Sequence, residues 1–220
     1  MSARPFFLTA DLLLRAYRLG LFPMAESRGS RTLHWLDPEN RGVLPLRAFH
    51  VPRSLARTLR RGTFRVTADT AFAETIAACA QARPTRPETW INRDIERLFI
   101  ELHALGFAHS VETWVGDRLV GGLYGASMGG AFFGESMFST ATDASKVALV
   151  HLVARLRLGG FVLLDTQFIT DHLSRFGARE VPRAEYHRLL AEAVDIPAWF
   201  RAAPDPLELA REITALYREE

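Results

Sequence analysis

Between His109 and Phe138 apolar and polar residues alternate with a period of two, and this stretch constrains the fold more than any other. His109–Val115, Arg118–Ser127 and Ala131–Phe138 read as strands, with Gly116-Asp117 and Met128-Gly129-Gly130 as the turns between them. Strands joined by turns this short form an antiparallel meander. A helix capped by Thr142 or Asp143 follows, runs to Leu158 and stops at Gly159-Gly160. Phe161–Phe168 is then a β-rich apolar strand that carries Asp165 and Gln167.

Helical spacing dominates elsewhere. It predicts helices over residues 1–20, Pro52–Arg61, Thr70–Gln81 and Asn92–Leu105, with Gly20 and Gly62 as stops. Short helices are expected at Thr170–Arg175, at Pro182–Ala193 and from Leu207, while Pro84 and Pro87 break the chain. Residues 21–50 are punctuated by Pro and Gly, with His34-Trp35-Leu36 and Gly42-Val43-Leu44 as short strands. The reading is an α+β protein. A composition shift divides it into a small N-terminal module, 1–65, and a larger module, 66–220, with an antiparallel or mixed sheet.

A chain of 220 residues that is 48% hydrophobic can bury a sizeable core, so long disorder is excluded. The single Cys79 excludes an internal disulfide and a multi-cysteine zinc site. No stretch reaches the ~18 apolar residues of a membrane helix, and no signal-length apolar run opens the chain. A soluble, cytoplasmic protein is expected. The seven histidines lack metal-ligand spacing, and neither a phosphate-binding loop nor a GxSxG serine is present.

Net charge is only +2, yet Arg41, Arg47, Arg53, Arg57, Arg60, Arg61 and Arg65 fall in a window without one Asp or Glu. Arg53, Arg57, Arg60 and Arg61 lie at i, i+4, i+7 and i+8, on one helical face. A solvated face normally mixes signs, so an uncompensated arginine stripe points to a polyanion, and a nucleic acid is the commonest.

Two strand segments carry candidate chemistry. In Phe132–Ser139, alternation places Phe133, Glu135 and Met137 on one face and Phe132, Gly134, Ser136 and Phe138 on the other. A carboxyl group among apolar neighbours needs a cation or hydrogen-bond partners. In Leu163–Gln167, Asp165 and Gln167 share a face, so the carboxylate can accept from the neighbouring amide and orient it.

The order and spacing of Tyr17–Pro23, His34–Pro38, Thr89-Trp90-Ile91, Leu119–Gly125, Gly134–Ser139, Ala144-Ser145-Lys146 and Leu164–Gln167 closely resemble the leucyl/phenylalanyl-tRNA–protein transferases. The resemblance extends from about residue 11 to residue 190. It implies transfer of Leu or Phe, and sometimes Met, from aminoacyl-tRNA to proteins that begin with Arg or Lys, marking them as N-degrons. It also implies an acetyltransferase-like (GNAT-type) module, no cofactor and no metal. By the same resemblance Asp165 and Gln167 activate the attacking amine, and Glu135 lies near the reacting groups. Trp90, Phe132, Met137, Leu123, Leu152, Leu156 and Met24 surround the donor amino acid and terminal adenosine. Arg53, Arg57, Arg60, Arg61 and Arg65 grip the acceptor stem. Met24-Ala25 replaces an aromatic pair that many members carry, and a monomer is expected.

Two rival readings follow from the same residues. A CoA-dependent N-acetyltransferase needs a glycine-rich pyrophosphate loop that Ser139–Lys146 lacks. A non-catalytic RNA-binding module explains the stripe but not Glu135, Asp165 and Gln167.

Overall fold

The structure, a computed structural model, describes residues 8–82 and 87–217. In chain order its elements are α1 (Ala10–Arg18), β1 (Phe22–Ala25), β2 (Leu33–Leu36), β3 (Asn40–Val43), α2 (Arg53–Arg61), β4 (Arg65–Ala68), α3 (Phe72–Ala80) and α4 (Arg93–Ala104). The meander β5 (Ala108–Val115), β6 (Arg118–Met128) and β7 (Ala131–Ser139) follows, then α5 (Ala144–Leu158) and β8 (Leu163–Gln167). The chain continues through α6 (Asp171–Ser174), β9 (Arg179–Pro182), α7 (Arg183–Val194) and α8 (Pro206–Ala215).

A mixed sheet of seven strands, ordered β4-β5-β6-β7-β8-β3-β9, organises the molecule. Its one parallel pair is β7–β8, and α5 is the crossover between them. One face of the sheet carries α1, α3, α4 and α7 around Tyr17, Phe99, Tyr124 and Phe133. The other carries α2, α5 and α8 around Leu55, Phe132, Leu149 and Leu164. Helix α5 is apolar on nearly every side because it lies between the sheet on one side and α2 and α8 on the other.

The antiparallel meander and the α+β class agree with the sequence reading. Helix α1 begins at Ala10 behind a Thr9 cap, and residues 1–7 and Pro84 lie outside the described residues. Strands β1, β4 and β9 were not expected. Pro23 has no N–H to donate, but β1 pairs with β2 in a two-stranded ribbon, where a missing N–H is tolerated. Strand β3, from the segment 1–65, is an interior strand of the large sheet between β8 and β9.

The expected alternation along β7 is overturned. Tyr124 opposes Ser136 and Gly125 opposes Gly134, so Glu135 is an extra residue in a β-bulge. The bulge reverses the faces beyond it. Phe133 packs with Tyr17 and Tyr124 on one side, whereas Met137 packs with the cluster that holds Phe132 on the other. Across from the bulge, a Cβ on Gly125 would run into the Phe133 carbonyl and the Phe132 ring. Gly125→Ala is therefore expected to lower the free energy of unfolding by about 1–3 kcal/mol, read from urea denaturation.

Candidate active site

Strands β7 and β8 pair only over Ala131–Phe133 and Leu163–Asp165. Past that point β7 stays with β6, while β8 is held on its far edge by β3. The two strands splay, and the gap is a cavity of about 290 Å3. Leu123, Met137, Leu149 and Leu152 supply its apolar wall. Phe22 and Met24 of β1, with Trp90 ahead of α4, supply another side. Glu135 of the bulge and Gln167 at the end of β8 face into it.

Asp165 does not line this cavity. It is fully buried against Arg41, whose Nε lies 3.0 Å from Oδ1 and whose Nη2 donates to Oδ2 at 2.7 Å. Tyr186 Oη donates to Oδ2 at 2.7 Å, and the backbone N–H of Gln167 donates to Oδ1 at 2.8 Å. Arg41 Nη1 donates to the Gly20 carbonyl at 2.9 Å, and the Phe22 and Tyr186 rings lie 4.4 Å from the guanidinium. Arg41 thus leaves the basic window counted in the sequence; it is a structural cation. Arg53, Arg57, Arg60, Arg61 and Arg65 are all exposed, on α2 and at the start of β4. Arg60 lies over the Tyr217 ring and Arg65 over Trp114.

The expected link between Asp165 and the Gln167 side-chain amide is also corrected. Gln167 has a left-handed backbone, φ +56°, so it leaves the strand, and Asp165 holds it through the main chain. That turn sends the side chain toward the bulge, where Nε2 donates to Glu135 Oε1 over a long 3.5 Å. Tyr17, fully buried, donates to the same oxygen at 2.7 Å. Burial pushes the Glu135 carboxyl up to about 8, reinforced by the charge of Asp165 and opposed by the Tyr17 hydrogen bond and by Arg41. Glu135 is therefore mostly neutral at pH 7. Burial likewise raises the Tyr17 hydroxyl well above its ordinary range, so it stays a donor.

Trp90, Met137, Leu123, Leu152 and Met24 lie in the cavity wall. Phe132 and Leu156 do not. Phe132 is wholly buried against Phe161 and Phe200, and Leu156 is wholly buried in the same cluster, one turn of α5 beyond Leu152. Tyr17, Arg41 and Tyr186 are the site residues that sequence reasoning did not single out. Tyr17 stood within a segment that carried the resemblance, but its partner is 118 residues away and no local pattern announces it.

An apolar chamber with hydrogen-bonding groups along one wall can seat an aliphatic or aromatic acyl group and align a nucleophile at its carbonyl. Opened between splayed parallel strands of a mixed sheet, such a chamber defines an acyltransferase-type module. The comparisons narrow that class. Residues 43–191 match the family described as leucyl/phenylalanyl-tRNA protein transferase, and residues 8–39 match its N-terminal domain. A leucyl/phenylalanyl-tRNA–protein transferase of Paramagnetospirillum magneticum is 64% identical over 88% of this chain and 92% of its own. One of Phenylobacterium zucineum is 63% identical over 86% of each chain, and one of Caulobacter vibrioides is 60% identical over 87% and 88%. The chain belongs to the leucyl/phenylalanyl-tRNA protein transferase family.

Two outcomes test this geometry. Arg41→Leu strands a buried carboxylate and is expected to cost about 3–5 kcal/mol of stability, much of it recovered by adding Asp165→Leu, as read by urea denaturation. The folded protein holds the Glu135 proton to about pH 8, whereas the unfolded chain releases it near 4.5. Its contribution to stability is full below pH 4.5 and is lost as pH rises through 8. Glu135→Gln should lack that decline in denaturation curves recorded across the window.

Proposed function

We propose that the protein transfers leucine or phenylalanine, and methionine as a third donor, from aminoacyl-tRNA to the α-amine of proteins that begin with Arg or Lys. The observation that carries this reading is the meeting of Glu135 and Gln167 at the wall of an apolar cavity sized for one such side chain. Leu123, Met137 and Leu152 receive the donor side chain, while Met24 and Trp90 receive the terminal adenosine. An apolar pocket separates donors that differ by a methylene by only about 1–3 kcal/mol, which supports breadth among Leu, Phe and Met.

The reaction is aminolysis of an ester. The amine nitrogen attacks the ester carbonyl, the bond from that carbon to the terminal ribose oxygen breaks, and the amine proton ends on the departing oxygen. An α-amine of pKa roughly 7.7–8.0 is partly neutral near pH 7.5, so positioning matters more than strong base catalysis. The Gln167 amide oxygen is too weakly basic to take the proton. It accepts a hydrogen bond from the amine as positive charge develops, because Nε2 is turned to Glu135. Asp165 is a positioning residue that acts through the main chain of Gln167. Its carboxylate is enclosed by Arg41 and Tyr186, which leaves Glu135, neutral in the protein alone, as the acid that faces the acceptor; the cationic N-terminal residue lowers its pKa on binding and draws off that proton.

The exposed arginines of α2 and Arg65 grip the phosphates of the acceptor stem, since guanidinium groups donate to phosphate in pairs. The product is an N-degron. Dependence on charged tRNA supports a cytoplasmic location, and among the described residues no helix is long and apolar enough to cross a membrane. The monomer expected from the sequence belongs to the same reading.

The test is a transfer assay with labelled Leu-tRNA and peptides beginning with Arg or Ala. Label is expected on the Arg peptide alone. Gln167→Ala should lower turnover by about 10²-fold. Arg57→Ala with Arg60→Ala should raise KM for tRNA and flatten its salt dependence by a log–log slope of about 2. A protein that binds the tRNA but labels no basic N-terminus overturns the reading.

A further inference from the structure

Asp143 stands at the N-terminus of α5, where an aspartate normally turns its carboxylate onto the first free N–H groups of the helix. Here it makes no capping bond, and its backbone is left-handed, φ +68°. Both carboxylate oxygens point elsewhere. Oδ2 accepts from the Thr58 hydroxyl of α2 at 3.1 Å, and Oδ1 accepts from Lys146 Nζ at 2.8 Å. The side chain is only 18% exposed, so neither bond is a fully solvated one.

The location gives these bonds a consequence. Thr58 is the residue after Arg57 on the helix that carries the arginine face. Asp143, Lys146, Ser139 and Thr140 line a groove that shares Met137 and His172 with the acyl cavity. Asp143 therefore ties the arginine helix to a groove that adjoins the reaction cavity. Leu55 and Ala56 bury α2 in the core beside α5, but apolar contacts are non-directional and leave sliding and rotation soft. A hydrogen bond to a largely enclosed carboxylate, even at 3.1 Å, is directional and favours one rotation and one height of α2 over α5.

We infer that Asp143, through Thr58, is a positioning residue that sets the arginine face of α2 at the distance and angle from the cavity that a tRNA acceptor stem requires. The inference rests on the reading of α2 as the tRNA grip. It predicts a specific asymmetry. A donor long enough to touch both α2 and the cavity needs the alignment, and a donor that fills only the cavity does not.

The experiment compares Leu-tRNA with leucyl-adenosine as donors for an Arg-initiated peptide, using Thr58→Val, Asp143→Gly, Thr58→Ser and Arg57→Ala. Glycine keeps the left-handed backbone while removing both side-chain bonds. Thr58→Val and Asp143→Gly should each raise KM for Leu-tRNA by about 5- to 10-fold with kcat little changed. Transfer from leucyl-adenosine should stay at the wild-type rate. Thr58→Ser should restore the wild-type KM, and combining Thr58→Val with Asp143→Gly should add little, because both remove the same bond. Equal losses with both donors would mean that Asp143 only maintains the cavity, and would overturn the inference. So would an unchanged KM for Leu-tRNA in a protein whose Arg57→Ala variant does raise it. If Arg57→Ala leaves that KM unchanged as well, the grip itself has been misassigned, and the inference falls with it.

Discussion

The pairing of Arg41 with Asp165 holds together parts of the chain that are far apart in sequence. Arg41 belongs to β3 and Asp165 to β8, and the pair brings the end of α1, β1 and α7 to the same point through Gly20, Phe22 and Tyr186. Burying two charges is expensive, and a lone pair in such a place would often do no better than hydrophobic residues. This one is compensated because both Asp165 oxygens are occupied and aromatic rings flank the guanidinium. The direct consequence is local. One Asp165 oxygen is committed to the backbone N–H of Gln167, so the left-handed turn that ends β8 is held by a buried polar network.

A second network approaches Gln167 from the opposite strand. Tyr17 and the Gln167 amide both donate to Glu135, which the bulge in β7 has taken out of ordinary register. The bulge and the left-handed turn are complementary departures from regular strand geometry. They lie on either side of the splay, and each aims a side chain into the gap that regular pairing would have closed. Glycine at 125 lets the ladder distort there, since a side chain would clash with Phe132 and Phe133. The cavity is thus a product of interrupted pairing, and its polar groups come from the residues at which pairing stops.

The division of labour between the two faces of the sheet follows from the same geometry. The face bearing α1, α3, α4 and α7 supports the buried polar groups Tyr17 and Tyr186. The face bearing α5 supplies the aliphatic wall, and α2 rides on that helix with its arginines outward. In the function proposed above, grip on a large anionic donor and alignment of its reactive end fall to separate elements, and the Thr58–Asp143 hydrogen bond links α2 to the start of α5.

Local pattern alone was enough for the meander, for most helices and for the arginine face, because periodicity and turn chemistry act over a few residues, whereas Glu135, Asp165 and Gln167 took their roles from the family resemblance. Local pattern failed where long-range contacts override it. Strict alternation placed Glu135 with Phe133 and Met137, and the bulge separated them. Charge counting placed Arg41 in a basic window that pointed to a polyanion, whereas it is buried against a carboxylate 124 residues away. The family resemblance offered Leu156 with Leu152 to the pocket, and only the packing of α5 decided that one faces the cavity and the other the core. The sequence by itself determined which elements form and which chemical groups are present. The tertiary structure decided which of those groups are dry, which are paired and which face open space, because burial and hydrogen bonding depend on neighbours that a linear pattern does not contain.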